Sequence, residues 1–172
     1  MCSAATTAGG SSSSDERGPH ASPLRAILNT DGGARGNPGP AGIGIVLRDA
    51  NGDLIAEKAR AIGRATNNVA EYTALIEGLE LALENDVTEV KVFLDSALVV
   101  AQVKGEWKIK KDALRVLAVR ARALMGRFER ASIDHVPREQ NEDADALANQ
   151  AMDSVAGMNE QGSEDEQGSL GW

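Results

Sequence analysis

The segment from Leu24 to Gly42 constrains the fold more than any other. Leu24-Arg25-Ala26-Ile27-Leu28-Asn29-Thr30 is apolar and strand-forming up to a carboxylate, Asp31. Gly32-Gly33-Ala34-Arg35-Gly36-Asn37-Pro38-Gly39-Pro40 follows, a run in which Gly and Pro should break a helix or a central strand. The pattern predicts Asp31 at or near the carboxyl end of a strand, its side chain on rigid backbone beside a loop that a ligand can approach closely.

Hydrophobic periodicity supplies the remaining elements. Gly42 to Arg48 is strand-like, Asp49-Ala50-Asn51-Gly52-Asp53 carries the Asn-Gly signature of a hairpin, and Leu54 to Gly63 returns as a third strand. Leu75, Leu79 and Leu83 share one face of a helix over Val69 to Glu84, for which an Asn supplies the cap and in which Glu71 lies in or near the first turn. Val90 to Leu94 is a short strand ending at Asp95, so Asp95 repeats the setting of Asp31, and a helix begins at Ala97. A basic loop, Lys104 to Lys111, precedes a helix over Asp112 to Arg127. Ala131 to Val136 then forms the last strand, and Glu142 to Met152 a helix carrying Asp145. The order β-β-β-α-β-α-α-β-α implies an α/β fold: a five-stranded mixed sheet, three strands antiparallel and two parallel, with helices on both faces.

Three segments are expected: a disordered small-residue tail over 1–23, a folded domain over 24–153 and a disordered acidic tail over 154–172. The formal net charge of −8 is unusual for a polyanion-binding protein. The C-terminal segment 154–172, however, carries Glu160, Glu164, Asp165 and Glu166 with no Lys or Arg to offset them, while Lys104, Lys108, Lys110, Lys111, Arg115, Arg120, Arg122, Arg127 and Arg130 cluster in one stretch. The single cysteine, Cys2, excludes an intrachain disulfide and a cysteine-built zinc site. No apolar run approaches the ~20 residues of a membrane helix, and the amino terminus lacks a signal-peptide pattern. These features read as a cytoplasmic protein without a membrane partner; a monomer is expected, though no sequence feature fixes the oligomeric state.

Asp31 and Asp95 end strands that this topology can place side by side. Glu71 begins the helix between them, and Asp145 lies on a helix that must pack near the sheet. Crowded carboxylates raise one another's pKa, so a cluster persists where cations neutralise it, and an all-oxygen set suits Mg²⁺ or Mn²⁺ rather than Zn²⁺. Spacing alone leaves open the alternative that each acid is an unrelated cap or surface charge.

Four motifs in order resolve this. Thr30-Asp31-Gly32 through Gly36-Asn37-Pro38-Gly39, Thr66-Asn67-Asn68-Val69-Ala70-Glu71, Asp95-Ser96, and His135-Val136-Pro137-Arg138-Glu139-Gln140-Asn141 through Ala148 resemble the type 1 ribonuclease H family. The likeness spans about Ile27 to Asp153. It implies hydrolysis of the RNA strand of RNA/DNA hybrids with two Mg²⁺ ions, Mn²⁺ being a possible substitute, leaving 5′-phosphate and 3′-hydroxyl ends with little sequence specificity. By the same resemblance Asp31, Glu71, Asp95 and Asp145 are the metal ligands, Asp31 shared by both ions, and His135 helps move a proton or release product. Asn37, Arg64 and Thr66 match a pocket for a phosphate of the DNA strand, and Asn37, Asn67 and Asn68 match contacts to sugars and base edges.

Two departures stand out. The long basic protrusion of many bacterial members is missing, which leaves three readings open: a lower affinity for hybrid, replacement by Trp107, Lys108 and the other lysines of the short basic loop, or a loop that is simply solvated. Ala97 stands where some relatives carry a substrate-touching glutamine. The rival readings are a catalytically silent binding module of the same fold and a nuclease for another duplex, such as double-stranded RNA.

Overall fold

A computed structural model describes residues 23–155; the two expected tails lie almost wholly outside the described residues. Strands β1 (Arg25–Ala34), β2 (Gly39–Asp49) and β3 (Leu54–Ala65) form an antiparallel meander. Helix α1 (Asn67–Glu84) crosses over to β4 (Glu89–Leu94), which pairs parallel with β1. Helices α2 (Ala97–Lys104) and α3 (Asp112–Met125) lead to β5 (Arg130–His135), parallel to β4. A 3-10 turn at Arg138–Gln140 precedes helix α4, residues 142–155. The sheet order is β3-β2-β1-β4-β5, the mixed five-stranded architecture expected. Among the described residues no helix is long and apolar enough to cross a membrane.

The first strand departs from the expectation that Gly32 and Gly33 would end it. It continues to Ala34, with Gly32 paired to Ile43 and Gly33 to Gly42, so that the turn shrinks to residues 35–38. The reason is packing. A Cβ on Gly32 would lie 2.2 Å from the carbonyl oxygen of Ala70, so this glycine lets the backbone of α1 rest against the strand. The cap of α1 also differs: it is Thr66, whose Oγ1 accepts from the Val69 N–H at 3.2 Å, and not an asparagine. The third strand reaches Ala65, and α3 stops at Met125, two residues short of the expected Arg127.

Alternation in the strands divides the core between the two faces. Leu28, Ile43, Ile45 and Leu47 meet Leu75 and Leu79 of α1, all fully buried. The opposite face of β2 presents Gly42 and Gly44 to Ala144, Ala148 and Ala151 of α4. These alanines recur at helical spacing, so α4 lies with its backbone almost on the sheet. A Cβ on Gly44 would stand 2.1 Å from the Ala144 carbonyl oxygen and 2.6 Å from the Ala148 nitrogen. Both neighbours are backbone and cannot swing aside. Gly44→Ala is therefore expected to destabilise the domain by about 1–3 kcal/mol through overpacking. Urea denaturation measures this, and the same substitution at the open Gly52 turn should lack the steric part of the effect, since nothing lies within 4 Å of a Cβ there.

Candidate active site

The register of the sheet positions the first two acids. The β1–β4 ladder pairs Asn29 with Phe93; two residues further on, Asp31 lies within β1 and Asp95 directly after β4. Glu71 is the fifth residue of α1, just past the first turn, and the close approach at Gly32 brings it over the strand ends. There the Gly32 N–H donates to its carboxylate. One carboxylate oxygen from each of Asp31, Glu71 and Asp95 lies within 4.8 Å of the others.

Asp145 completes the group from the other face. Asp31 pairs with Gly44 across β1 and β2, and Gly44 is the residue on which Ala144 rests, so the next residue of α4 is carried to Asp31. The Asp31 carboxyl is within hydrogen-bonding reach of both Asp95 and Asp145. Asp31, Glu71 and Asp145 share a cleft of about 380 Å³ with Asn67, Arg138 and Asn149.

Electrostatics follow from burial. Asp31 is 7% exposed, and desolvation, then the negative charges of Asp95 and Asp145, push its pKa up to about 8. Desolvation also holds Glu71 well above the usual carboxylate range, reinforced by Asp31 and Asp95 and only partly opposed by the Gly32 N–H and the Arg138 guanidinium. Three buried side-chain oxygens or nitrogens lack a hydrogen-bond partner among the described residues: Thr30 Oγ1, Glu71 Oε2 and Asp95 Oδ2. Two of the three belong to this cluster. Crowded carboxylates with orphaned, inward oxygens and no sulfur or nitrogen donor among them fit a hard divalent cation.

The remaining predicted residues fall into three places. Asn37, Arg64, Thr66, Asn67 and Asn68 gather where β2 begins, β3 ends and α1 starts: Arg64 pairs with Pro40, and Asn37 Oδ1 accepts from the Asn67 N–H at 3.1 Å. Asn67 Oδ1 in turn accepts from the Ala34 N–H at 2.8 Å. His135 closes β5 opposite Leu94, exposed at the sheet end that carries Asp95 but outside the lining of the cleft. Trp107 and Lys108 lie beyond α2, also outside that lining.

Two further residues shape the site. Arg138 Nε lies 3.7 Å from Asp95 Oδ2 and brings the one guanidinium among the residues lining the acidic cleft apart from Arg35. Asn141, 1% exposed, precedes α4 and ties it to β1: its Nδ2 donates to the Thr30 carbonyl at 3.0 Å, and its Oδ1 accepts from Asn29 Nδ2 at 3.1 Å. Local rules give such an asparagine a helix-cap role. Its actual partners lie more than 100 positions away in the chain.

Fold and cleft together define an α/β protein with a carboxylate centre, of oxygens that suit a hard cation, just past the end of the parallel β1–β4 ladder. A family model described as reverse transcriptase-like matches residues 29–151. The bifunctional protein Rv2228c of Mycobacterium tuberculosis is 50% identical over 134 residues, covering 77% of this chain and 37% of its own length. Its N-terminal RNase H domain, solved as a fusion with maltose binding protein, superposes with a TM-score of 0.77 at 49% identity, covering 79% of this chain and 99% of that one. Ribonuclease HI of Halobacterium salinarum is 50% identical over 125 residues, 73% of this chain and 63% of its length. LC11-RNase H1, solved in complex with an RNA/DNA hybrid, gives a TM-score of 0.71 at 44% identity, covering 76% of this chain and 99% of that chain. The chain belongs to the ribonuclease H family. It spans little more than a third of the mycobacterial relatives and under two thirds of the halobacterial one.

The raised carboxyl groups carry a sign for stability. A folded-state pKa of about 8 for Asp31, above its ordinary 3.8, means that the protonated form favours folding. That contribution is complete below the unfolded value and is lost as pH rises through the folded one. In EDTA, Tm of the wild type is expected to fall from pH 4 to pH 8 relative to Asp31→Asn, which stays neutral throughout. At pH 8 the variant should melt about 3 °C or more higher. Adding Mg²⁺ should raise Tm at pH 8 in the wild type and much less in the variant, as scanning calorimetry would show.

Proposed function

We propose that this protein is an endoribonuclease that hydrolyses the RNA strand of RNA/DNA hybrids with divalent metal ions, leaving 5′-phosphate and 3′-hydroxyl ends. The observation that carries the reading is the meeting of Asp31, Glu71 and Asp95 oxygens within 4.8 Å, with Asp145 added from the opposite face of the sheet. Relatives named ribonuclease HI, and a similar structure solved with an RNA/DNA hybrid, support the substrate class.

Asp31, Glu71 and Asp95 would hold one ion, and Asp31 with Asp145 the other, Mg²⁺ being the natural occupant of such an oxygen set and Mn²⁺ a substitute. When bound, a pair of such ions offsets the charge that develops in an in-line phosphoryl displacement and activates water as the nucleophile. The chain's own part is to hold the four acids on β1, just past β4 and near the starts of α1 and α4, and to release the proton that burial and crowding favour at Asp31. The water oxygen bonds to phosphorus and the P–O3′ bond breaks, so the phosphate stays on the downstream 5′ carbon. The exposed imidazole of His135, at the sheet end that carries Asp95, takes up a proton or helps release the product.

Substrate positioning is assigned to the cluster at the start of α1. Asn37 and Asn67 commit their Oδ1 atoms to backbone N–H groups, which leaves their amide NH₂ groups to donate to sugar hydroxyls and base acceptors. Arg64, Thr66 and the amino end of α1 face a phosphate of the DNA strand, where the helix dipole favours an anion. Asn68 contributes from the first turn of the same helix. Trp107 and Lys108 contact the backbone further along the hybrid. Reading 2′-hydroxyls in a wide minor groove recognises shape more than sequence.

Cleavage of labelled RNA/DNA hybrid, double-stranded RNA and double-stranded DNA in one Mg²⁺ assay tests the proposal. Only the RNA of the hybrid should be cut, EDTA should stop it, and Asp31→Asn and Asp95→Asn should abolish it while retaining the fold by circular dichroism. His135→Ala should lower kcat by about 10²-fold with little change in KM. Cutting of double-stranded RNA at the same rate would overturn the substrate, and full activity of both aspartate variants would overturn the site.

A further inference from the structure

A buried polar chain links the helix that carries Glu71 to the loop that carries Trp107 and Lys108. Tyr72, next to Glu71, is fully buried, and its hydroxyl donates to Gln102 Oε1 at 2.8 Å. Gln102 is 4% exposed, and a buried amide must satisfy both ends. Its Nε2 faces the Lys108 carbonyl at 3.5 Å, a long bond that nevertheless fixes which end of the amide points where. With the amide reversed, two carbonyl oxygens would oppose each other.

The rest of the loop is held by backbone as well. Gly105, with φ of 82°, closes α2, and the N–H groups of Glu106 and Trp107 both donate to the Ala101 carbonyl, at 2.8 and 3.3 Å. Arg122 Nε donates to the Val103 carbonyl at 3.0 Å and its Nη2 to that of Gln102. Arg115 Nη2 donates to the Ile109 carbonyl at 2.7 Å. The loop is thus tied down through its carbonyls and amides, while Trp107, 53% exposed, and the Lys108, Lys110 and Lys111 side chains stay outward.

We infer that Gln102 is a positioning residue, which together with Tyr72 holds the 105–111 loop at a fixed offset from Glu71 so that Trp107 and Lys108 meet nucleic acid in register with the cleft. The inference rests on the reading of this loop as a hybrid contact. Gln102 touches no reacting group, so its loss should act on binding and leave the chemical step alone.

Gln102→Leu in the full chain removes both side-chain bonds while keeping a comparable volume. KM for an RNA/DNA hybrid is expected to rise about fivefold, the worth of one net hydrogen bond, with kcat within about twofold of the wild type. Lys108→Ala should raise KM in the wild type and add much less in the Gln102→Leu background. In a Trp172→Phe background, acrylamide should quench Trp107 differently once Gln102 is replaced. Tyr72→Phe, which deletes only the hydroxyl, should change KM in the same direction and serves if Gln102→Leu does not fold. An unchanged KM where Lys108→Ala raises it, or a fall in kcat at constant KM, would overturn the inference. Full multiplication of the two effects would do so too. If Lys108→Ala and Trp107→Ala both leave KM unchanged, the loop does not bind hybrid; the quenching still reports whether Gln102 positions it.

Discussion

Everything in this structure is arranged around negative charges that would rather be apart. Asp31, Glu71 and Asp95 bring oxygens within 4.8 Å of one another, and burial makes the contact harder still, because water is not there to spread the charge. The fold answers with rigidity. Asp31 sits inside the paired strand β1, Asp95 directly after β4, and Glu71 and Asp145 near the starts of helices, where backbone cannot drift far enough to relieve the repulsion. What relief exists is local: the Gly32 N–H on Glu71, Arg138 beside Asp95, and the proton that Asp31 retains.

Glycine makes that arrangement possible twice, once on each face. Gly32 lets α1 approach until its Ala70 carbonyl occupies the space of a side chain, and Gly44 does the same for α4 at Ala144. In both cases the residue next in the helix is an acid of the site. Close packing and site assembly are therefore one event, and a methyl group at either position would move a carboxylate along with its helix.

Much of this was legible in the chain. The equivalence of Asp31 and Asp95 followed from two strand-like runs each ending in an acid, and the sheet order from a meander followed by crossover helices. What failed was the meaning of Gly32-Gly33. Local chemistry assigns paired glycines to a turn, and only the tertiary demand of α1 explains their place inside a strand. Arg138 and Asn141 were visible as members of a motif, yet their partners, Asp95 and the Asn29–Thr30 segment, are remote in sequence. No periodicity encodes a hydrogen bond across that distance. The Tyr72–Gln102 pair was hidden for a related reason: the two residues lie on different helices 30 positions apart.

The docking of α4 has a consequence in time. It is the last element described, it meets the sheet through small residues, and Asn141 fastens its start to β1. On the ribosome, the first three acids emerge long before the fourth. A nascent chain thus carries an incomplete cluster until this helix has cleared the exit tunnel and seated against the sheet.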